Sequence, residues 1–555
     1  MQDSAANGHR VVDHIVGHLA ASGVGHIFGV DGANIEDLYD AAFFRDDITA
    51  VVAKHEFSAA AMADGYSRSG AGLGVLAATS GGGCLNTVPG LGESLASRVP
   101  VLALIGQAPT TLDGRGAFQD TSGVNGALDA EALFSAVSVY CRRVLTAADI
   151  VTALPEAIAA ATGGGPAVLL LPKDVQQADL VAPGRSSLRV MLSPTTAFDP
   201  SPVIGALRNA NGPVLLIAGD QVARDDARAE LERLRSTLKA RVATVPDAID
   251  VSAGSLGVCG VMGHPSVTAA AAQSAICLLV GTRMTVTARA GLDDVWSTVP
   301  TYSIGSAPPH LPCTHVHSDD LRGALASLAA AMSDDGAEGP EPLPRSELQP
   351  PPHHGAGVRY RDAMGVLDTA LPDDTDIVVD AGNIGAAAIH YLPARRHGRF
   401  LVALGMGGMG YSFGAGIGST FHRGHRTVVI AGDGSFLMHG MEIHTAVQHR
   451  LPITFLLFDN HAHAMCVTRE QLFYGDRYSY NRFGHSRFGA GLAAMFPGLA
   501  ALDVTDIAQL PAALRLALDC DGPSVVAIDC SPDEIPPFAA FLTTKEEPRV
   551  TARAH

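Results

Sequence analysis

The sequence predicts an α/β protein of three doubly wound parallel-sheet domains. Short apolar strand candidates ending in Gly, Asp or Ser alternate with Ala-rich helical stretches, the pattern of parallel sheets covered on both faces. A Gly-Pro followed by an apolar run recurs at residues 165–170, 212–217 and 522–527. Gly-Pro is ordinary punctuation before a strand, so this repeat counts only together with the breaks between the pieces. The 555 residues exceed a single core, and roughly 100–200 residues per domain gives about three domains. Residues 183–202 carry Pro183, Pro194, Pro200 and Pro202, and residues 333–353 run from Asp334-Asp335-Gly336 into Pro350-Pro351-Pro352; both read as linkers. The expected divisions are therefore 1–182, 195–332, a linker over 333–356, and 357–545.

Composition narrows the classes of function. A chain that is 47% hydrophobic and 17% charged reads as a folded globule rather than a disordered or fibrous one. Its net charge of -18 argues against nucleic acid or an anionic membrane as partner, because either needs a cationic face. A small anionic substrate stays open if a few arginines converge. Residues 1–8 lack a basic start followed by an apolar core, so no secretory signal is expected. Apolar runs such as 168–171 and 454–458 fall far short of the ~20 residues that cross a bilayer. The eight cysteines are scattered, with no CxxC pair, which suggests reduced thiols and a cytoplasmic protein.

Taken in chain order, several segments carry candidate chemistry. Phe28-Gly29-Val30-Asp31-Gly32 ends a first strand with a carboxylate at its tip. Lys54-His55-Glu56-Phe57 opens a small-residue helix running through Asp64-Gly65-Tyr66 to Arg68. Thr79-Ser80-Gly81-Gly82-Gly83 is a glycine-rich turn, Phe118-Gln119-Asp120 a polar loop, and Pro172-Lys173-Asp174-Val175 closes the first piece. Further on, Asp380-Ala381-Gly382-Asn383 ends another strand, and Gly405-Met406-Gly407-Gly408-Met409-Gly410 is again glycine-rich.

The most informative stretch is 426–465. An apolar strand over 427–431 ends in Gly432-Asp433-Gly434-Ser435 and leads into a helix. A second strand over 453–458 ends in Asp459-Asn460, 27 residues after Asp433 (460 − 433). A diphosphate held through Mg²⁺ needs hard oxygen ligands in near-octahedral geometry, which one carboxylate, one amide oxygen and a backbone carbonyl can supply. Flanking glycines let the backbone approach phosphates, whose charge also suits a helix N-terminus. An isolated Gly-Asp-Gly is more often a plain tight turn; strand, helix and distal Asn together point to the cofactor reading.

This constellation resembles the thiamine-diphosphate-dependent enzymes, and over residues 11–176 and 376–474 it is most similar to acetolactate synthase-like carboligases. The resemblance implies pyrimidine-binding, central and diphosphate-binding domains in that order. It implies Mg²⁺ held by Asp433, Asn460 and the Ala462 carbonyl. Gly82, Asn383, Gly408, Gly432, Gly434, Ser435 and His463 are then expected to line the cofactor, with Met409 supporting its bend. It implies that Glu56 activates the aminopyrimidine for removal of a weakly acidic ring proton, with Gln119 and Asp31 beside the reacting carbon. Three positions depart from the family: Gly82 where many members have Pro, Asp459 where the first Asn is frequent, and Asp31 where synthases have Pro and benzaldehyde lyase has His.

The reaction implied is ylide attack on a carbonyl, loss of CO₂ or an aldehyde, and capture of the resulting carbanion by a proton or a second carbonyl. Substrates would be small 2-keto acids or aldehydes. Gly81-Gly82-Gly83 and Phe413-Gly414 resemble benzaldehyde lyase, which keeps an acyloin lyase or ligase as an alternative. The resemblance further implies a homodimer or homotetramer with active sites at the subunit interface. FAD, bound by some relatives in the middle domain, is left open but not expected, because Ser303-Ile304-Gly305-Ser306 replaces the Asp-x-Asp after its late strand. His461 and His463 are candidate proton relays against the commoner structural role of a lone histidine. A nucleotide-binding regulatory protein is disfavoured by the lack of a helix-opening GxGxxG after the first strand, and a non-catalytic homologue by the presence of Glu56.

Overall fold

A computed structural model describes residues 9–180, 198–332 and 343–542. Pro183, Pro194, Asp334-Asp335-Gly336 and the outer limits of the first and last expected divisions lie outside the described residues. Of the second expected linker, residues 343–356 carry no helix or strand.

Among the described residues, seventeen strands form three sheets, and every described pairing between named strands is parallel. The first sheet holds β1 (His26–Val30), β2 (Thr49–Val52), β3 (Gly74–Ala78), β4 (Val101–Gln107), β5 (Tyr140–Arg143) and β6 (Pro166–Pro172) in the order β2-β1-β3-β4-β6-β5. The second has β7 (Val214–Ala218), β8 (Arg241–Thr244), β9 (Ile276–Val280), β10 (Thr301–Gly305) and β11 (Thr314–His317) in the order β11-β10-β9-β7-β8. The third has β12 (Asp376–Val379), β13 (Phe400–Val402), β14 (Thr427–Gly432), β15 (Ile453–Asp459), β16 (Ala500–Val504) and β17 (Ser524–Asp529) in the order β13-β12-β14-β15-β17-β16. The first and third sheets thus repeat one connectivity. Each of the three Gly-Pro phrases delivers a buried strand, β6, β7 and β17. Central strands such as β4 and β15 are buried along their whole length, which explains their continuous apolar sequence without alternation.

Two compact units contain these sheets. One holds the first sheet together with the segments Ala403–Gly424 and Met438–Ile453; the other holds the second and third sheets. Within the first unit, the helix Glu56–Tyr66 is buried beyond its first residue and packs on the helix Tyr411–Arg423. Small residues set that contact. A Cβ on Gly414 would overlap the Ser58 carbonyl, one on Gly418 the Met62 carbonyl, and one on Gly65 the Ala415 backbone.

Candidate active site

In an open parallel sheet the strands deliver their following loops to the carboxyl edge, where ligands bind. At that edge of the first sheet, β1 is followed by Asp31-Gly32, β2 by the segment leading to Glu56, and β3 by Thr79–Gly83. Glu56 is the first residue of its helix, after an extended His55 whose Nδ1 accepts from the Phe57 N–H at 3.0 Å. Its Oε2 accepts from Asn86 Nδ2 at 3.0 Å. A Cβ on Gly83 would stand 3.2 Å from Glu56 Oε1 and 2.8 Å from Thr79 Cγ2, so the Gly83 backbone lies pressed between them. Thr79 Oγ1 in turn meets Gln119 Oε1 at 3.4 Å and accepts from the Asn34 N–H at 3.2 Å. Gln119 has φ +58 and rests on Gly81, itself at φ +66. Gly82, exposed, opens the helix Gly82–Ala96 with free space where a side chain would sit.

Asp31 is exposed, and its Oδ1 accepts from the next N–H, that of Gly32, at 2.7 Å. Partial burial pushes its carboxyl upward against that hydrogen bond. Burial, and then the charges of Asp31 and Glu56, hold the nearby Tyr39 phenol far above its ordinary range. The first unit therefore brings Asp31, Glu56, Gly82 and Gln119 to one edge.

Two buried carboxylates brace this edge. Glu442 accepts from the Lys54 N–H with both oxygens at 3.1 Å and from Thr445 Oγ1 at 2.6 Å, fixing the backbone two residues before Glu56. Glu93 accepts from the Gly405 N–H at 3.2 Å and the Met406 N–H at 2.5 Å, and so holds the turn that carries Gly408 and Met409. Burial pushes the Glu93 carboxyl up, but Arg68, these N–H groups and the Ser97 hydroxyl bring it below the usual range. Arg68 bridges Glu93 at 3.1 Å and Asp64 at 2.5 Å, and Asp64 also receives the Tyr411 hydroxyl at 2.5 Å. Gly408 faces the Phe57 ring, so the Met409 turn and the Glu56 helix meet.

The second unit assembles the other expected residues at the carboxyl edge of the third sheet. Asp433 follows β14 as the first residue of the helix Asp433–His439, and Asn460 follows β15. Both are buried. Asp433 Oδ2 accepts from the Ala462 N–H at 3.0 Å, and Asn460 Nδ2 donates to the Tyr360 hydroxyl at 3.2 Å. Asp433 Oδ1 and Asn460 Oδ1 are buried without any hydrogen-bond partner among the described residues. Leaving such acceptors bare costs about 1–3 kcal/mol each, a cost that a hard cation would remove. Burial, and then the neighbouring Asp459, push the Asp433 carboxyl up to about 7. Bare carboxylates crowded this way are what a divalent cation relieves, so the donor set fits Mg²⁺.

Around them, Ser435 Oγ donates to Asp380 Oδ1 at 2.6 Å. Asn383 opens the helix Asn383–Tyr391 with its own Oδ1 bare and buried. His463 caps the helix Ala464–Tyr474 with a bare Nδ1. His461, at φ +55, is held by Asp529 at 2.9 Å and lies 3.0 Å from Asp459. That pairing gives it a structural tie whatever else it does. Sequence reasoning missed Tyr360, Glu93 and Glu442 as supports; an acidic residue inside an otherwise apolar helix, as at Glu93, was the available signal.

Comparison with known proteins covers the same regions. Models of the thiamine pyrophosphate enzyme N-terminal TPP binding domain, central domain and C-terminal TPP binding domain match residues 9–126, 201–311 and 380–528. The chain is similar to the "Probable acetolactate synthase large subunit" of Methanocaldococcus jannaschii, 28% identical over 94% of this chain and 92% of that protein. It is also similar to the "Acetolactate synthase isozyme 2 large subunit" of Escherichia coli, 27% identical over 94% and 95%. A Rhodococcus jostii thiamine diphosphate-dependent 4-hydroxybenzoylformate decarboxylase shares the fold, with TM-score 0.78 and 19% identity over 94% of this chain and 99% of that one.

Proposed function

Starting from a chain that belongs to the thiamine pyrophosphate enzyme family, we propose that it is a Mg²⁺-dependent carboligase or decarboxylase of small 2-keto acids, acetolactate synthase-like in type. The observation that carries this reading is the pair of bare, buried oxygens on Asp433 and Asn460, at the strand ends where the diphosphate would be anchored. The names of the relatives support the substrate class.

Asp433, Asn460 and the Ala462 carbonyl would hold the metal, with Gly432, Gly434, Ser435, Asn383 and His463 around the diphosphate. When bound, thiamine diphosphate supplies a ring carbon that can be deprotonated and can hold the electrons released on decarboxylation. Glu56 accepts or shares a proton at its carboxylate, kept in place by Asn86 and by the Glu442 clamp on Lys54. Gln119 and Asp31 lie beside the carbon that reacts. Met409, on the turn gripped by Glu93, shapes the cofactor. Asp31 is a poor neighbour for a second carboxylate, because two like charges at this edge repel. Acceptor choice should therefore differ from that of synthases with Pro at this position.

Active sites shared between subunits of a cytoplasmic homodimer or homotetramer complete the reading. Among the described residues no helix is long and apolar enough to cross a membrane. Incubation with pyruvate, longer 2-keto acids, benzoylformate and benzoin, following CO₂ and aldehyde, separates the options. Turnover of 2-keto acids supports the proposal, whereas benzoin cleavage without CO₂ would establish the acyloin lyase alternative.

A further inference from the structure

The second unit contains a cavity of about 380 Å³ that the chemistry above does not use. It opens beside β8, between the loop over 249–258, the helix Arg228–Leu238 and the turn over 392–396. This volume is in the range of small-molecule sites. Its wall is apolar on one side, with Leu231, Val251 and Leu392 buried.

The charges in the lining are uneven. Arg228, Arg345, Arg395 and Arg396 face Glu232 and Asp250, four cations against two anions, a net charge of +2. The ion-pair partners behind the lining, Arg399, Arg235 and Asp368, bring two positive charges and one negative one, so they do not offset this excess. Within the lining, Asp250 is shared between Arg228 and Arg399. Glu232 is engaged by Arg235. Arg345 donates to the His390 carbonyl at 2.8 Å and forms no ion pair among the described residues. Arg396 is exposed and has no partner among the described residues. The Arg395 Nε and the Thr244 hydroxyl are buried without partners, each on a residue more than nine-tenths buried.

Such bare donors and surplus cations, in a chain whose overall charge is -18, select a ligand of matching charge. A phosphate monoester carries about −1.5 to −2 at pH 7 and three strong acceptor oxygens, and guanidinium forks recognise it bidentately. A lone carboxylate neutralises only half the excess. We propose that this cavity is a second binding site, separate from the Asp433–Asn460 edge, for a small organic phosphate monoester with an apolar body. The phosphate sits on Arg345, Arg396 and the Arg395 Nε, and the body lies along Leu231 and Val251.

Calorimetry on the full-length protein with phenyl phosphate, inorganic phosphate and benzoate tests this. Phenyl phosphate is expected to bind with an affinity that falls with salt and to lose at least about tenfold in Arg345→Ala and again in Arg396→Ala. Both positions are exposed, so folding should survive; an unchanged thermal midpoint checks it. Inorganic phosphate should bind more weakly but show the same dependence on the two arginines. Binding of phenyl phosphate should persist in Asp433→Ala, which separates this site from the cofactor edge. The proposal is overturned if phenyl phosphate does not bind, if the arginine variants bind it unchanged, or if benzoate binds as tightly with the same arginine dependence.

Discussion

At the scale of single residues, the two candidate edges depend on different physics. Asp433 and Asn460 present bare oxygens in a dry setting, which suits the metal-binding role proposed for them. Asp433→Ala and Asn460→Ala should each abolish measurable Mg²⁺-dependent thiamine diphosphate binding in calorimetry, since water cannot rebuild the geometry that a buried oxygen fixes. Binding as tight as the parent's in both variants would remove the metal assignment. Glu56 differs because it is hydrogen-bonded and half-buried, which suits the proton exchange proposed for it. Glu56→Gln keeps the Asn86 contact but not the charge. Hydrogen–deuterium exchange at the cofactor ring carbon should slow by roughly 10²–10⁴-fold, the usual range of a general acid–base contribution, with cofactor affinity reduced far less. Unchanged exchange would take Glu56 out of the mechanism and place this chain beside glyoxylate carboligase, which resembles the family but works without the glutamate.

At the scale of elements, what sequence could and could not reveal divides along contact range. The positions of Glu56 and Asp433 at helix starts after strands were legible, because strand periodicity, glycine and the following helix are all local signals. So was Asn460, one helix and one strand further on. The supports were not: Tyr360 reaches Asn460 across 100 residues and Glu93 reaches Met406 across 313, and nothing local marks such partners. Gly414 and Gly418 illustrate the same limit. Neither reads in sequence as a packing position, Gly414 standing out only through the benzaldehyde lyase resemblance of Phe413-Gly414, yet each faces a backbone carbonyl of the Glu56 helix. Gly418→Ala should destabilise the fold by about 1–3 kcal/mol through overpacking, and the lost register should slow catalysis as well; a thermal midpoint equal to the parent's would show that the helices can separate without cost. Glu93→Gln removes the charge that grips Gly405 and Met406 while keeping its shape. The largely buried Arg68 then loses an ion-pair partner, so the thermal midpoint should fall, and cofactor affinity measured well below that midpoint should fall as well; unchanged affinity would leave Glu93 a purely structural role.

At the scale of the molecule, folding hides neutral histidines. In the second unit, His264 and His390 stack at 4.3 Å, linking a loop after β8 to the helix that begins at Asn383. Hydrogen bonding fixes both tautomers. His264 Nδ1 accepts from the Val258 N–H at 3.0 Å, so its Nε2 carries the proton and donates to the His390 carbonyl at 3.0 Å. His390 Nε2 accepts from the Leu348 N–H at 3.1 Å, so its Nδ1 donates to the Met262 carbonyl at 2.9 Å. Protonating either ring would set an N–H against an N–H. Burial, and then the nearby Arg345, hold His264 down to about 3, and burial lowers His390 as well. The unfolded chain, with histidines near 6.5, therefore binds more protons than the folded one between those limits. Stability contributed by this pair is complete above about pH 6.5 and is lost as pH falls toward about 3. The thermal midpoint of the parent should drop across that window. His264→Gln, whose side chain can accept from Val258 and donate to His390 without titrating, should be less stable near neutrality but should flatten the acid limb. An equally steep acid limb in this variant would assign the loss to other groups, of which the half-buried His439, pushed down to about 4, is the next to substitute.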